Sequence, residues 1–468
     1  MTPQDDFDRG LMARTFVRGD ETPPETLNLI GSGGIYSTAS ELCSFGQIFM
    51  DNPGNGTAKD LLSTATKEAL MEKEYLQGMW PDQKDSLFGF GLGWDSVDLY
   101  PFNRYEIQGL AKGGDTSFYH SSLIVLPEQN MVFAVVMSGG SSMYGELMGV
   151  SLLQQALLST GKIDSILLPD EEKTSAAARM PAEFTSYAGL YKNNSLIKEI
   201  RIEQNGALSL TTLTQQDLPE ETFIYQSSGE FVNGEKSKRL SFVEEENGET
   251  YLRIVRILSL PGLEQQAIIT VYDSVKMLPN PIELKLQQAW DERSGIYYVV
   301  SEIRTSQCYY NLTASTMEIY TNESLPGYFG TYKIADISCA TQDAQIPVMD
   351  GRDNDFLSFT TEDGKEYLSN SSSTLISENS IPDIDAGVDI ICTIQQNGYA
   401  LWYSVGKGDA GKTMTVNLPL NGAFAVYDSS DCIYFSTVSG NQPVILPAKG
   451  KIVFIGDLPG TRFYVTID

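Results

Sequence analysis

The chain has 468 residues, with 32 basic and 61 acidic side chains and a net charge of −29, a length that suits two to four domains of about 150 residues each. That charge excludes a binder of phosphate backbones, which needs a net basic surface, and argues against docking on anionic lipid. The single histidine, His120, excludes HExxH, three-His and Cys2His2 metal centres, and no cofactor is expected.

The first residues, MTPQDDFDRG, have neither the basic nor the apolar region of a signal peptide. From Ile35 to Glu41 the chain enters a helix whose Thr38/Glu41 spacing fits a capping box, and Leu42, Phe45, Ile48 and Phe49 continue its apolar face. A second amphipathic helix is predicted around Lys67 to Tyr75. From Leu87 the pattern turns to strands: FGFGLGW, then NRYEIQGLAKGG, then FYHSSLIVL, a turn at Pro127–Asn130, and MVFAVVMSG as the returning strand. A helix from about Met143 to Thr160 follows, stopped by Gly161. The longest apolar stretches, such as Met131 to Met137, are too short to span a bilayer.

Residues 166–181, charged and small with a proline at either flank, read as a linker. Beyond them helical periodicity gives way to short alternating strands. Tyr187-Ala188-Gly189-Leu190-Tyr191-Lys192 recurs 141 residues further on as Tyr328-Phe329-Gly330-Thr331-Tyr332-Lys333. A repeat of that length is a whole domain, and about 140 residues suffice for a closed antiparallel barrel of roughly eight strands. The expected fold class is therefore α+β. An antiparallel sheet with helices fills 1–165, and two related, lipocalin-like β-barrels follow at 182–323 and 324–468.

Several motifs of the first segment appear in a recognisable order. Gly33-Gly34-Ile35-Tyr36-Ser37-Thr38-Ala39-Ser40-Glu41-Leu42, with Phe45-Gly46 after it, resembles the G-G-L-x-S-T-x-x-D-L-x-x-F segment of the serine β-lactamase-like superfamily. Gly91-Leu92-Gly93-Trp94 is similar to that family's G-L-G-W strand. Lys112-Gly113-Gly114, with Phe118, Ser121-Ser122 and Pro127-Glu128 following, is similar to its third motif, K-T-G or H-x-G. The group includes class C β-lactamases, D-Ala-D-Ala carboxypeptidases and D-aminopeptidases. The resemblance spans residues 1–160 and implies the C-terminal part of a β-lactamase/transpeptidase-like catalytic domain. It implies acyl-enzyme chemistry on an amide or ester, with a small-molecule or peptide substrate such as a D-aminoacyl peptide or a β-lactam. It also implies an exported protein, in the periplasm, at the cell surface or outside the cell. Barrels after the catalytic domain resemble the architecture of D-aminopeptidases.

The candidate site residues are Lys112, Gly113, Gly114 and Asp115. A cation followed by glycines on a strand at a cleft lets a carbonyl substrate approach the backbone. The next N–H, that of Asp115, then points at a developing oxyanion, while Lys112 holds a substrate carboxylate or tunes the acid/base group. Gly113 stands where many family members carry a hydroxyl. His120, on the following strand, reads either as a flank of the cleft or as a satisfied structural histidine.

The family nucleophile lies in S-x-x-K, followed by Y-x-N, both ahead of the G-G-x-x-S-T segment. Here S-x-x-K occurs at Ser195–Lys198 and Ser404–Lys407, and Y-x-N at Tyr191, Tyr309 and Tyr320. All lie in the barrel region, in the wrong order, and are assigned no role. Met1 is accordingly expected to be an internal methionine of a longer protein or an alternative start. A chain without the nucleophile is expected to be inactive alone, and the alternative is a non-catalytic binding protein whose cleft or barrels take peptide or cell-wall ligands.

Three further patterns resolve to structure. Gly406–Thr413 satisfies G-x-x-x-x-G-K-[ST], but alternating Met414, Val416, Leu418 and Leu420 predict a strand where a phosphate loop needs a helix, so a Gly-rich hairpin is expected. Asp350–Asp355 lacks the glycine placement of a calcium loop and reads as a hairpin turn. Cys43, Cys308, Cys339, Cys392 and Cys432 form no C-x-x-C. The last four leave two disulfides or free thiols as open alternatives.

Overall fold

A computed structural model describes residues 9–17, 19–22, 33–50, 61–74, 78–81, 85–167, 176–215, 218–263, 265–347, 351, 354–362, 364–384 and 390–468. Two compact units emerge. One comprises Tyr36–Leu278 with Ala344–Asn354, and the other Met1–Ile35, Pro279–Asp343 and Asp355–Asp468.

In the first unit the capping box forms. Thr38 Oγ1 accepts the Glu41 N–H at 3.2 Å and Glu41 Oε2 accepts the Thr38 N–H at 3.1 Å, which starts α1 (Ala39–Gly46). Helix α2 (Thr64–Met71) begins ahead of the predicted Lys67, because Ser63 Oγ caps it by accepting the Thr66 N–H. The predicted end, Tyr75, lies outside the described residues.

Strands β1 (Leu110–Asp115), β2 (Tyr119–Leu126) and β3 (Met131–Ser138) form an antiparallel sheet in chain order. Helix α3 (Ser142–Ser159) is capped by Ser141, and Gly161 at φ +68° follows its end. The period of two splits the sheet residues between two cores. Ala111, Ile124 and Leu126 pack under Leu147, Val150, Leu153 and Leu157 of α3. Leu110, Leu123 and Val125 pack on the opposite side with Ile48, Phe49 and Trp94. Each fully buried leucine or valine of these layers contributes about 1.5–3 kcal/mol. Gly149 sets the close approach of α3: a Cβ there would stand 2.4 Å from Phe133 Cδ1.

The same unit holds a closed eight-stranded barrel. Its strands are β4 (Gly189–Lys192), β5 (Ile197–Ile202), β6 (Ala207–Thr212), β7 (Glu221–Tyr225), β8 (Phe231–Asn233), β9 (Lys238–Glu244), β10 (Thr250–Ser259) and β11 (Gln266–Lys276). Tyr191, Ile200, Leu208, Phe223, Phe231 and Ile254 are among the residues that fill it. The β10–β11 hairpin extends onto the α3 layer, where Ala267, Leu258, Leu260 and Leu263 join the core, and Tyr144 Oη donates to the Pro261 carbonyl at 3.0 Å.

In the second unit an eight-stranded antiparallel sheet spans Gly295–Ser377, and a Thr321–Phe329 bridge brings its two edge strands together, so it nearly closes. The two barrels of the expected α+β fold are thus present. The second opens earlier than the hexapeptide repeat places it. Gly189 (φ +142°) starts the first barrel and Tyr191 Oη donates to the Tyr187 carbonyl at 2.7 Å. The matching device is Gly295 (φ +152°), with Tyr297 Oη donating to the Arg293 carbonyl at 2.6 Å. Both glycines sit where a side chain is strained. Tyr328–Lys333 instead makes a tight hairpin within the sheet, with Phe329 paired to Tyr332.

Strands between Asp383 and Ile467 form a five-stranded and a four-stranded sheet that enclose Phe424, Phe454, Phe463, Val416 and Val465. Gly406–Thr413 lies between strands of these two different sheets, so it is a crossing between layers and not a hairpin; no helix follows it. Asp350, Arg352 and Asp353 lie outside the described residues, as do residues 168–175 of the linker. All five cysteines are free thiols. Among the described residues no helix is long and apolar enough to cross a membrane.

Candidate active site

All four predicted site residues lie on β1, opposite β2: Lys112 faces Leu123, Gly113 faces Ser122, Gly114 faces Ser121 and Asp115 faces His120. Among the described residues the other edge of β1 is only partly covered. Ala111 exchanges backbone bonds with Ser96 (N–H to carbonyl 2.8 and 3.2 Å). Two residues on, the Gly113 N–H donates to Asp95 Oδ2 at 2.7 Å. Thr116 N–H turns inward to the Tyr119 carbonyl. Strand alternation therefore aims the N–H of Asp115 at the same outer edge as those of Ala111 and Gly113, one step past Asp95.

Lys112 is half-exposed, and its Nζ lies 3.1 Å from Asp95 Oδ2 while also donating to the Gly113 carbonyl. The Asp95 carboxylate thus takes both the ammonium and the glycine N–H. Gly113 packs closely: a Cβ there would stand 3.0 Å from Ser142 Oγ and 3.4 Å from Asp95 Oδ2, so Ser142 would have to give way by a few tenths of an ångström. The space beside the motif's middle position is thus occupied by the first turn of α3.

The Asp115 side chain is a hub. Its Oδ1 accepts the Ser142 N–H at 2.8 Å and lies 2.6 Å from His120 Nδ1, and its Oδ2 accepts the Ser142 hydroxyl. A carboxylate at the N-terminus of an 18-residue helix is favourably placed against the helix dipole. Burial works to raise this carboxyl, but the bonds from Ser142 and His120 outweigh it and hold it below the usual range. His120 is thereby a partner of Asp115 at the end of β1, its side chain largely buried.

Glu146, on the first turns of α3, is buried and its Oε1 has no hydrogen-bond partner. Burial, reinforced by the nearby Asp95 charge and opposed by Lys112, pushes its carboxyl up to about 8. Ser122 Oγ, across from Gly113, is likewise buried without a partner. At neutral pH the group therefore comprises a neutral acid, an Asp–Lys ion pair and an Asp clamped to a helix end.

Sequence reasoning missed Asp95 and Glu146. Each carries a signal: Asp95 directly follows Gly91–Trp94, and Glu146 is the one charged side chain in α3. The stray motifs have other places. Lys198 is buried against Asp273 inside the first barrel, and Ser404 accepts from Lys451 within the C-terminal sheets. Among the described residues no group of His, Cys, Asp and Glu suits a metal ion.

Residues 2–156 match the family model described as Beta-lactamase. Two solved structures also match, one of SurE with D-Leu and one of SurE, each at 16% identity. They cover 52% of this chain and 50% and 48% of their own, with TM-scores of 0.32 and 0.31. The chain thus spans about half the length of those structures, and a likeness at that level carries no argument. No curated protein matches.

Proposed function

We propose, on the premise that residues 2–156 belong to the serine β-lactamase-like superfamily, that β1 is the carboxylate- and carbonyl-binding wall of an acyl-transfer cleft. Its substrate class is a D-aminoacyl peptide or a β-lactam, each able to present a carboxylate beside an amide. Lys112 receives the carboxylate, and the outward N–H of Asp115 is the donor to the oxyanion that forms on the amide carbonyl. Gly113 and Gly114 let the substrate lie against the strand. The Asp115 side chain does not react: it fixes the end of β1 to α3 through Ser142 and so sets the direction of its own N–H.

The observation that carries this reading is the outer edge of β1, left partly uncovered among the described residues, on which Lys112 and the Asp115 N–H succeed one another. A second reading, a reversible ligand-binding protein, is favoured by a separate observation. Asp95 holds the Lys112 ammonium and the Gly113 N–H, so an internal carboxylate already sits where a ligand carboxylate would.

Intact-mass measurement after exposure to benzylpenicillin and to a fluorophosphonate separates the two. It is applied to this chain and to the longest reading frame that contains it. Covalent adducts on the longer product alone support the hydrolase, and reversible binding without an adduct on either supports the binding protein. Absence of any binding to both removes both readings.

A further inference from the structure

The first barrel has two unlike ends inside. At one end Tyr225, Phe231 and Phe242 pack with Met180 and Phe184 into an aromatic plug, and Tyr191, which directly faces Lys198 across the β4–β5 ladder, packs on Phe242 at its inner side. The other end is ionic. Lys198 lies two residues before the inward Ile200, Arg256 two after the inward Ile254, and Lys238 directly faces Arg256 across the β9–β10 ladder. Glu221 faces the inward Leu210, and Asp273 stands at a bulge of β11, so all five project into the lumen.

Exposure grades along this set. The side chains of Lys198 and Asp273 are 7% and 1% exposed, those of Lys238, Arg256 and Glu221 24%, 37% and 37%, so the cluster runs from the interior up to a mouth. The pairing leaves cation in excess. Asp273 alone receives both Lys198 Nζ, on Oδ2, and Arg256 Nη2, on Oδ1 at 2.6 Å, while Glu221 pairs with Lys238. Burial works to raise Asp273, and the two cations outweigh it, so this carboxylate is ionised and fully committed.

Donors therefore exceed acceptors in a desolvated place. Lys198 has three N–H donors and one protein acceptor, and Arg256 Nε is buried with no partner. A buried positive charge in excess, with unanswered N–H groups, is costly unless an anion or water completes it. In a chain of net charge −29, three inward cations against two carboxylates at one barrel mouth are a local reversal of sign. Barrel mouths are also habitual ligand positions.

We infer that the ionic end of this barrel is a binding site for a small oxyanion, a carboxylate or phosphate group, seated between Arg256 Nε and Lys198 Nζ. The aromatic plug closes the lumen behind it, so only a small group enters. The site does not depend on the chemistry of β1.

The test titrates the full chain with sodium acetate and, separately, with inorganic phosphate, at ionic strength held constant with chloride. The methyl resonances of Ile200 and Ile254, two residues from Lys198 and Arg256, report occupancy. Saturable shifts with one or both anions are expected, and which anion gives them tells carboxylate from phosphate. Arg256→Gln should weaken binding at least tenfold, whereas Arg201→Gln, an exposed arginine of the same barrel, should leave it unchanged. Arg256→Lys keeps the charge and loses the Nε donor, and should also weaken binding if Arg256→Gln fails to fold. Shifts that never saturate with either anion, or equal binding in the Arg256 variants and the parent, overturn the site.

Discussion

Lys112 Nζ stands 3.1 Å from Asp95 Oδ2, the oxygen that also accepts the Gly113 N–H at 2.7 Å. One internal carboxylate thus holds the cation that a ligand carboxylate would seek, and the two must compete. Asp95→Asn keeps an oxygen for Gly113 and removes the charge. Calorimetric titration with benzylpenicillin should show affinity rising by about tenfold, or about 1.4 kcal/mol. Equal or weaker binding would remove Asp95 as the competitor.

Glu146 makes stability depend on pH with a definite sign. Below the usual carboxylate range it is protonated in both the folded and unfolded chain. As pH rises from there toward about 8 the unfolded chain releases the proton while the buried carboxyl keeps it. Stability should therefore fall with rising pH by about 1.4 kcal/mol per unit across that window and level off above it. Glu146→Gln keeps a neutral polar group of the same shape and removes the slope. Urea midpoints of parent and variant should diverge between about pH 5.5 and about pH 7.5. Parallel pH profiles would show that Glu146 ionises freely in the fold.

The Asp115 hub predicts a local effect. Asp115→Ala strips the acceptor from the Ser142 N–H and hydroxyl and from His120, at a cost near that of a lost helix cap, about 1 kcal/mol. Amide exchange should quicken in the first turn of α3 and at the end of β1, with the barrel amides unchanged. Uniform exchange along α3 would indicate that Ser141 alone caps the helix.

Gly149 tests the packing of α3. Alanine is the better helix former by about 1 kcal/mol, yet a Cβ there would lie 2.4 Å and 2.6 Å from two ring carbons of Phe133 and 2.9 Å from Ile124 Cδ1. Overpacking should prevail, and Gly149→Ala is expected to lower stability by about 1–2 kcal/mol in urea unfolding. A stabilised variant would mean that the helix and sheet have room to separate.

Local signals were the ones legible in the sequence. The Thr38/Glu41 box, the Pro127–Asn130 turn and the stop at Gly161 each rest on a few adjacent residues, and each forms. The strand set 110–138 was legible because a period of two sorts its residues between two cores. The repeat misled because Tyr187–Lys192 and Tyr328–Lys333 share letters but not backbone. What the barrels share is a glycine at strongly positive φ and a tyrosine hydroxyl closing on the carbonyl four residues back, as at Tyr191 and Tyr297. The partners of β1 were not legible for a related reason. Asp95 and Glu146 reach it from other elements, and only the fold brings a lone charge on an apolar helix beneath an Asp–Lys pair.

The central claim is that Lys112 receives a ligand carboxylate at the outer edge of β1. The most direct measurement is the dissociation constant of benzylpenicillin for the parent chain and for Lys112→Met, a change at a half-exposed side chain that leaves the sheet intact. A loss of affinity of at least tenfold, with unaltered circular dichroism, is the predicted result. Equal affinities in the two proteins would contradict the claim.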